Sequence, residues 1–299
     1  MNSTSLRVLT PAKVNLVLRV LDRRPDGFHV IWSLMHTVGL EDELTFTIQP
    51  GEVSRIALSC DNAALAADQS NLVYRAAQLV LARVDRAMDV SIILSKRIPL
   101  GAGLGGGSSD AAATIFGLTR LLGLDWSVEQ MSEMGQQLGS DVPFFFVAPA
   151  ACVTGRGEQV RPVQVSGSRW IVLVNPGFAV ETKWAYQQLS ATRPGVRPLS
   201  PALQQVGSRS ALEWSEIVPL VENDFEAPVF AQHPVLAQIK RQLLGQGAEV
   251  ALLSGSGATM FGVFAGQADA ERAAAAFARD PKLKAYAVPA AGVPVTSVL

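Results

Sequence analysis

The stretch PLGAGLGGGSSDAA, residues 99–112, decides the fold, because it joins a short β-branched segment to an apolar helical one through a glycine-rich loop. Five of the seven residues from 101 to 107 are glycine, in a chain with 25 glycines among 299 residues. Glycine permits unusual φ angles and lets a ligand approach the backbone N–H groups closely. The N-terminus of the following helix adds unpaired donors and partial positive charge. The loop therefore predicts an anion site, most naturally for phosphate groups.

Other kinds of phosphate loop fit this stretch poorly. Gly101, Gly103 and Gly106 match the dinucleotide fingerprint, but Asp125, the acidic residue at the required distance, falls between two predicted helices instead of after a strand. A P-loop needs lysine at the position of Gly107. The HRD and DFG motifs of protein kinases do not occur in the sequence. A flexible linker is the non-functional alternative, and the adjoining Ser-Ser-Asp, read as a helix cap, disfavours it.

Working outward from the loop, hydrophobic periodicity predicts a mixture of strands and helices. We expect strands at residues 12–20, 30–38, 43–48, 90–94, 142–147, 170–174, 249–253 and 260–264, with a hairpin at 39–42. We expect helices at residues 71–84, 108–122, 127–139, 223–244 and 268–278, and a long surface loop at 191–210. Period two in the first strand places Lys13 and Asn15 on one face.

The composition indicates a globular chain of two domains. Apolar residues make up 48% and charged residues 17%, enough to bury a sizeable core. Glycine, proline and polar residues gather near residues 155–168, so we place the domains at 1–160 and 161–299. Lys and Arg number 25 and Asp and Glu 26, and this balance argues against nucleic acid or an anionic membrane as partner.

Cysteine use and hydropathy bear on the compartment. Cys60 and Cys152 are too few for a disulfide framework and favour a reducing compartment. No stretch approaches the ~18 uninterrupted apolar residues of a membrane span, and residues 1–10 lack a basic segment followed by an apolar one. We therefore expect a soluble, cytoplasmic protein. His36 and His233 lack a metal-ligand pattern, so we expect structural roles for them.

Three segments resemble motifs of the GHMP small-molecule kinases, the superfamily of galactokinase, homoserine kinase and mevalonate kinase. They are PAKVNLVLRVLDRRPDGFH at residues 11–29, the phosphate loop at 99–109, and LLSGSGATMFGVF at 252–264, in the family's order and spacing. The resemblance implies an α+β fold of two domains. The first would be an ATP-binding domain like the second domain of ribosomal protein S5, the second would be ferredoxin-like, and the active site would lie in the cleft between them.

Within the superfamily, RRPDGFH at residues 23–29 and LGSDVPFF at 138–145 narrow the resemblance. With the other motifs, they resemble the branch that phosphorylates the 2-hydroxyl of a cytidine diphosphate-linked methylerythritol in the non-mevalonate route to isoprenoids. ATP and Mg²⁺ are then the expected cofactors. Three alternatives stay open: a kinase for homoserine, mevalonate or a sugar, a non-catalytic binding module on the same fold, and an RNA-binding protein with an S5-like domain.

The resemblance implies catalytic roles for two residues. Asp141 would be the base, since an aspartate carboxylate is ionised at neutral pH and can accept a hydroxyl proton. Lys13 would be its partner and would stabilise the transferring charge. Asn15 would orient the substrate or the lysine. Without the motifs, Asp141 is equally explained as a turn residue and Lys13 as a solvated lysine.

The resemblance also implies the ATP contacts. These are Pro99, Leu100, Gly101, Ala102, Gly103, Leu104, Gly105, Gly106, Gly107, Ser108 and Ser109. The two serine hydroxyls could cap the helix, contact phosphate or hold Mg²⁺. Asn71 and Lys96 fall near the positions where the family places adenine. The sequence does not assign a protein ligand to the metal.

For the cytosine of the acceptor, the resemblance implies contacts from Phe28, His29, Thr182 and Tyr186. The family usually has tyrosine before the histidine, so Phe28 keeps the stacking surface and loses the phenol hydroxyl. Aromatic rings on both faces of a base can bind it by stacking. The structural alternatives are an aromatic residue that fills a hairpin and a surface tyrosine packed on its own helix.

Two further groups are expected to have no catalytic role. The aromatic run at residues 144–146 is predicted to be a core strand. Arg193, Arg197 and Arg209 fall in the predicted surface loop and are expected to be solvated.

Overall fold

The computed structural model of the chain describes residues 4–23, 29–193, 195, 197–290 and 295. Its strands are β1 Thr4–Arg23, β2 His29–Pro50, β3 Arg55–Cys60, β4 Met88–Ser95, β5 Ala150–Gly155, β6 Gln159–Pro162, β7 Gln164–Ser166, β8 Trp170–Asn175, β9 Ala211–Glu213, β10 Glu222–Asn223, β11 Val250–Leu253, β12 Met260–Phe264 and β13 Lys284–Pro289. Its α-helices are α1 Leu72–Leu81, α2 Gly106–Leu121, α3 Val128–Gln136, α4 Phe144–Val147, α5 Thr182–Thr192, α6 Pro201–Ser208, α7 Trp214–Ile217, α8 Glu226–Gln232, α9 Pro234–Gly245 and α10 Gln267–Phe277.

The larger sheet is built around two long antiparallel strands, β1 and β2. Its order is β10-β1-β2-β4-β3, and β5 pairs with the first half of β2 and with β6. The short strand β10 comes from the C-terminal half of the chain and lies parallel to β1. The first strand is therefore held on one side by its own half of the chain and on the other by the second half.

The smaller sheet is a four-stranded antiparallel sheet of order β11-β12-β8-β13. Helices α5, α8, α9 and α10 bury apolar side chains in one cluster against this sheet. A separate cluster joins Val14 and Leu16 of β1 with Leu173 of β8 and Phe261 of β12. Because the two sheets share this core, the residues at their junction are fixed relative to each other. The predicted boundary at 160/161, which falls inside β6, stays a prediction.

The predicted hairpin at residues 39–42 is wrong. These residues continue β2, and both halves of β2 pair with the single long strand β1. The register shifts between Pro11, opposite Glu41, and Ala12, opposite Val38. The polar run therefore produces a bulge that bends the strand instead of a turn that reverses it.

The predicted strand at residues 142–147 is also wrong, although its burial in the core is confirmed. Phe144–Val147 form helix α4, and Phe144, Phe145 and Phe146 are buried. A short continuous apolar run has no alternation, so periodicity does not distinguish a buried strand from a buried helix.

The predicted surface loop at residues 191–210 contains helix α6. Ser200 is its N-cap and accepts a hydrogen bond from the Leu203 backbone N–H, and proline follows in the first turn. Leu203 and Val206 are buried against the shared core. The Ser-Pro pair with apolar residues at this spacing was the signal for a helix.

The helices predicted at residues 71–84 and 127–139 are confirmed as α1 and α3. The single helix predicted at 223–244 is instead two helices, α8 and α9, and Asn223 lies in β10. Asn71 caps α1 by accepting from the Val73 N–H, and Ser127 forms the capping box of α3 with Gln130. Among the described residues, no helix has the combination of length and apolar character that crossing a bilayer requires.

Candidate active site

The polar face of β1 carries the first part of the site. The Lys13 Nζ donates to Asn15 Oδ1 at 2.7 Å, and Asn15 Nδ2 donates to Ser33 Oγ at 2.9 Å. The Ser33 hydroxyl in turn donates to the carbonyl of Val17 at 2.6 Å. Lys13 and Asn15 are both buried. This chain of hydrogen bonds fixes the ammonium in one position, and the prediction that the two residues share a face is confirmed.

Asp141 faces this ammonium from the turn between α3 and α4. The distance from Lys13 Nζ to Asp141 Oδ2 is 3.5 Å. The lysine side chain is 4% exposed and the aspartate side chain 31%, so the carboxylate opens toward the cavity while the cation stays behind it. The structure thus brings together the two residues expected to be the catalytic pair. A carboxylate in this position can accept a proton from a bound hydroxyl.

The glycine loop is anchored on both sides through its carbonyl groups. The N–H of Lys13 donates to the carbonyl of Leu104 at 2.9 Å. Residues 252–264 form the C-terminal glycine segment. From this segment, the N–H of Thr259 donates to the carbonyl of Ala102 at 3.2 Å, and the Ser254 hydroxyl donates to the carbonyl of Gly103 at 2.9 Å. The first turn of α2 begins directly after these anchors, and the first N–H groups of a helix have no intrahelical partner. The N–H groups at the start of α2 are therefore the donors that this loop could offer to a ligand.

Two glycines in the loop are required by their surroundings. Gly103 has φ +77°, and a Cβ on it would lie 2.1 Å from the backbone oxygen of Ser254. Gly105 has φ +71°, and a Cβ on it would lie 2.9 Å from Cγ of Lys13 and 3.1 Å from Cζ of Phe145. A side chain at either position would push the loop away from the second half of the chain or from the lysine.

Helix α2 starts two residues before the predicted position. Gly105 is its N-cap, so Ser108, Ser109 and Asp110 lie inside the helix and do not cap it. Ser109 Oγ is buried without a hydrogen-bond partner within the described residues. Ser108 and Ser109 thus remain candidates for contact with phosphate or Mg²⁺. The alternative prediction, that they cap the helix, is wrong.

Lys96 lies beneath the loop as the centre of a buried ion-pair cluster. Its Nζ contacts Asp42 Oδ2 and lies 2.7 Å from Asp110 Oδ2, and its side chain is 2% exposed. Asp110 also accepts from the Thr10 hydroxyl at 2.8 Å. Burial and the nearby Asp42 charge raise the pKa of Asp110 to about 6, against the opposing effect of Lys96. The cluster ties β2 and β4 to the first turns of α2.

The other residue expected near adenine is also engaged internally. Asn71 Oδ1 accepts from the Val73 N–H, and its Nδ2 donates to the carbonyl of Ala66 at 2.8 Å. Its side chain is buried at the start of α1. For Asn71 and Lys96, contact with adenine stays a prediction.

A cavity of about 900 Å³ opens between β1, the glycine loop, the Asp141 turn and α5. Of the predicted residues, it is lined by Lys13, Asn15, His29, Gly103, Gly105, Asp141, Thr182 and Tyr186. The expected catalytic pair, part of the phosphate loop and the expected base contacts therefore border one space. Its size is within the range of small-molecule sites.

Tyr186 forms an aromatic wall of the cavity. The His29 ring stacks on it with centroids 4.6 Å apart and planes 16° apart, and the Phe225 ring contacts it in a T-shaped arrangement with centroids 4.8 Å apart. His29 Nε2 lies 3.2 Å from the Ser190 hydroxyl. Burial and the charge of Asp141 raise the pKa of Tyr186 to about 12, so the phenol stays protonated. Phe28 lies outside the described residues.

Thr182 lies at the start of α5 and contacts the C-terminal glycine segment. Its hydroxyl is 3.0 Å from the hydroxyl of Ser256, which also lines the cavity. The segment turns at Gly255 and Gly257, both with positive φ. On this side, the cavity is therefore closed by two segments of the C-terminal half of the chain, the start of α5 and the glycine segment.

Sequence reasoning missed several residues that line the cavity. They are Ser140, Arg156, Lys183, Gln187, Ser190, Phe225 and Ser256. Ser190 follows Tyr186 by four residues, as Tyr186 follows Thr182, and Gln187 follows Lys183 by four. The cavity face of α5 could therefore have been predicted once one of its residues was assigned. Phe225 comes to the cavity through tertiary folding and had no local signal.

No described group of three or more His, Cys, Asp or Glu side chains is arranged to hold a metal ion. His36 is buried, with its Nδ1 2.6 Å from the Thr37 carbonyl, and burial lowers its pKa. His233 packs between the rings of Phe178 and Trp184. The surroundings of both histidines are those of structural side chains.

Comparison with known proteins identifies the two halves of the chain. The family described as GHMP kinases N terminal domain matches residues 71–148, and GHMP kinases C terminal matches residues 201–282. A 4-diphosphocytidyl-2-C-methyl-D-erythritol kinase of Syntrophotalea carbinolica is 42% identical over 267 residues, which cover 89% of this chain and 92% of that protein. The kinase of the same name from Solibacter usitatus is 43% identical over 256 residues, which cover 85% of this chain and 79% of that protein.

Solved structures agree with this assignment. A crystal structure of 4-(cytidine 5'-diphospho)-2C-methyl-D-erythritol kinase has a TM-score of 0.76 at 33% identity and covers 95% of this chain and 98% of its own. Homoserine kinase from Cytophaga hutchinsonii shares the fold. Its TM-score is 0.72 at 20% identity, and the match covers 99% of this chain and 97% of that one. The expected α+β two-domain fold is confirmed. The chain belongs to the GHMP kinases, and within them to the 4-diphosphocytidyl-2-C-methyl-D-erythritol kinase family.

Proposed function

We propose that this chain transfers the γ-phosphoryl group of ATP to the 2-hydroxyl of 4-diphosphocytidyl-2-C-methyl-D-erythritol, giving the 2-phosphate and ADP. This reaction belongs to the non-mevalonate route to isoprenoid precursors. The observation that carries the proposal is the Lys13–Asp141 pair, 3.5 Å apart, on a cavity that also contains the glycine loop and Tyr186. The family membership supports the choice of acceptor.

ATP is proposed to lie with its phosphates on the loop formed by residues 99–109. The carbonyls of Ala102, Gly103 and Leu104 accept hydrogen bonds from the surrounding chain. The N–H groups at the start of α2 would then donate to the phosphate oxygens. The helix terminus also supplies partial positive charge where the γ-phosphoryl group departs. Asn71, at the start of α1, and Lys96, after the end of β4, are proposed to lie beside the adenine.

Asp141 is proposed as the base that takes the proton from the acceptor hydroxyl. The Lys13 ammonium, held by Asn15, keeps a positive charge beside both the carboxylate and the reacting oxygen. Phosphoryl transfer gains most of its rate from positioning and electrostatic stabilisation, which these groups provide. Asn15 Oδ1 accepts from Lys13, so its role in this proposal is to aim the ammonium.

Mg²⁺ is proposed to enter with ATP. Magnesium prefers oxygen ligands and is held mainly by substrate phosphates with one or two protein groups. The Ser108 hydroxyl near the loop is an oxygen donor of that kind. The Ser109 hydroxyl, which has no hydrogen-bond partner among the described residues, is a second. The ion would neutralise charge on the phosphates during transfer.

The cytidine of the acceptor is proposed to bind on the Tyr186 side of the cavity. Tyr186 and the His29 ring stacked on it form an aromatic surface at this wall, which supports the proposal of an aromatic base as the ligand here. His29, Thr182 and Phe28 are the proposed polar and aromatic partners of the base. The cytoplasmic location stays a prediction.

A coupled assay of ADP release tests the proposal. The wild type and Asp141→Asn are offered the cytidylated substrate, homoserine and mevalonate in parallel, with Mg²⁺. We expect turnover of the cytidylated substrate alone, and loss of most of that rate in the variant. Turnover of another acceptor would contradict the proposed substrate, and ATP binding without any turnover would favour a binding module.

A further inference from the structure

Helix α5 carries much of the proposed cytidine wall, and few of its residues are fully buried. Thr182, Tyr186 and Ser190 on its cavity face all line the space. Of its eleven residues, Ala185 and Leu189 are buried, and Trp184 and Tyr186 pack against the same cluster while partly exposed. Because burial of apolar area is the main force that fixes a helix, polar contacts at the two ends of α5 have a large share in its position.

At the N-terminal end, the contact between Thr182 and Ser256 supplies one anchor. At the C-terminal end, the anchor is Arg193, the residue that ends the helix. Its Nη1 donates to Asp224 Oδ2 at 2.8 Å and its Nη2 donates to the carbonyl of Val20 at 2.5 Å. The expectation that Arg193 is solvated is therefore wrong, since its side chain is 18% exposed and bridges α5 to β1.

Asp224 is the centre of this anchor. Its carboxylate lies 3.2 Å from Nε of Arg19 and accepts from the Val20 N–H at 2.8 Å, and its side chain is 4% exposed. Arg19 is equally buried and also donates to Glu222 at 2.8 Å and to the carbonyl of Arg197 at 3.1 Å. Buried charges are retained when they are paired and fully hydrogen-bonded, as these are.

The residues on either side of Asp224 reach the other walls of the cavity. Asn223 Nδ2 donates to the carbonyls of Leu253 and Gly255 at 2.7 and 2.8 Å, which fixes the C-terminal glycine segment. Phe225 is buried and supports Tyr186 edge-on. One short segment thus sets β1, the glycine segment and the aromatic wall relative to each other.

We infer that Asp224, with Arg19 and Arg193, positions helix α5 and thereby determines recognition of the nucleotide-linked acceptor without affecting ATP binding. The inference rests on the proposed function for its substrate. Arg193, Arg19 and Asp224 are positioning residues, because the structure places none of them on the cavity lining. Their contacts act through Tyr186, Thr182 and Ser190.

Arg193→Ala is the informative variant, because Asp224 keeps Arg19 as a partner and no buried charge is left alone. We expect the KM of the cytidylated acceptor to rise about tenfold while the KM of ATP changes less than twofold. Arg193→Lys keeps one of the two hydrogen bonds, the one to Asp224. Its KM for the cytidylated acceptor should therefore lie between those of the wild type and Arg193→Ala. Arg209→Ala is the matched control, since Arg209 forms an exposed pair with Glu216 in the same part of the chain.

Hydrogen exchange of the backbone provides a readout that does not depend on the acceptor. We expect the amides of α5 to exchange at least tenfold faster in Arg193→Ala, with those of α2 unchanged. Equal rises in both KM values, or unchanged exchange in α5, would overturn the inference. If the wild type does not phosphorylate the cytidylated acceptor, the proposed function fails, and the exchange result alone decides the inference.

Discussion

Lys13 Nζ and Asp141 Oδ2 lie 3.5 Å apart, one on the first strand and the other on the turn that follows α3. This distance is longer than a direct hydrogen bond and short enough for strong electrostatic attraction. The Lys13 ammonium donates a hydrogen bond to Asn15 Oδ1 at 2.7 Å. The Asp141 carboxylate is therefore held near the ammonium by charge and not by a direct hydrogen bond. A hydroxyl that enters the cavity can therefore reach a carboxylate oxygen beside a fixed positive charge.

The first prediction concerns this carboxylate. Asp141→Asn keeps the size of the side chain and removes the base, so we expect kcat to fall by about 10²- to 10⁴-fold. The KM of ATP should change little, because the glycine loop is untouched. Steady-state kinetics at saturating acceptor measures this, and Asp125→Asn, an exposed aspartate, is the control. An Asn variant with more than half the wild-type kcat would exclude Asp141 as the base.

The second prediction concerns the contact between the glycine loop and the C-terminal glycine segment. In Gly103→Ala the new methyl group would meet the Ser254 oxygen at 2.1 Å, and φ of +77° disfavours any side chain. We expect a loss of about 1–3 kcal/mol in the free energy of unfolding and a clear rise in the KM of ATP. Thermal unfolding and kinetics measure the two effects.

Gly245→Ala is the matched control for this substitution. Nothing lies within 4 Å of a Cβ at Gly245, the last residue of α9. Its free energy of unfolding should stay within about 1 kcal/mol of the wild type. If Gly103→Ala behaved like this control, the close packing of the two glycine segments would not be needed.

Much of the fold was predictable because its signals are local, whereas the proximity of Lys13 and Asp141 was predicted from the resemblance to the GHMP kinases. The motif around the glycine loop, the alternation at Lys13 and Asn15, and the caps at Asn71 and Ser127 each depend on a few consecutive residues. The bulge at Gly39 was not predictable in this way, because a turn and a bulge use the same polar residues. Only pairing of both halves of β2 with β1 distinguishes them.

The residues around the proposed cytidine wall show a second reason for failure. Arg193 sits in a polar stretch that is typical of a solvated loop, and its partner Asp224 is distant in sequence. The charge pair exists only because β10 lies beside β1. Periodicity and composition carry no information on such contacts, so the anchor of α5 became visible only in the folded chain.

The third prediction is a pH dependence from the ion-pair cluster beneath the loop. Burial raises the pKa of Asp110 to about 6, above the ~3.9 of an unfolded chain. The folded state therefore binds this proton more tightly, and the stability it contributes is lost as pH rises from about 4 to 6. Asp110→Asn lacks this loss, so its free energy of unfolding relative to the wild type should increase by up to about 1.4 kcal/mol per pH unit in this window.

Denaturant unfolding of both proteins between pH 4 and 8 measures this difference. Other titrating groups, such as the buried His36, are present in both proteins and cancel in the comparison. A difference that is constant with pH would show that Asp110 keeps an ordinary pKa because Lys96 offsets its burial fully.

The fourth prediction separates the ring of Tyr186 from its hydroxyl. The ring stacks against His29 at 4.6 Å and rests on Phe225 at 4.8 Å, so Tyr186→Phe should keep the wall in place. Tyr186→Ala removes the stacking surface, which is worth about 1–3 kcal/mol per base, and the KM of the cytidylated acceptor should rise roughly 5- to 150-fold. The KM of ATP, measured on the same samples, is the internal control and should stay constant. If the Phe variant were as weak as the Ala variant, recognition would depend on the phenol hydroxyl, which the raised pKa keeps as a hydrogen-bond donor, and not on the aromatic face.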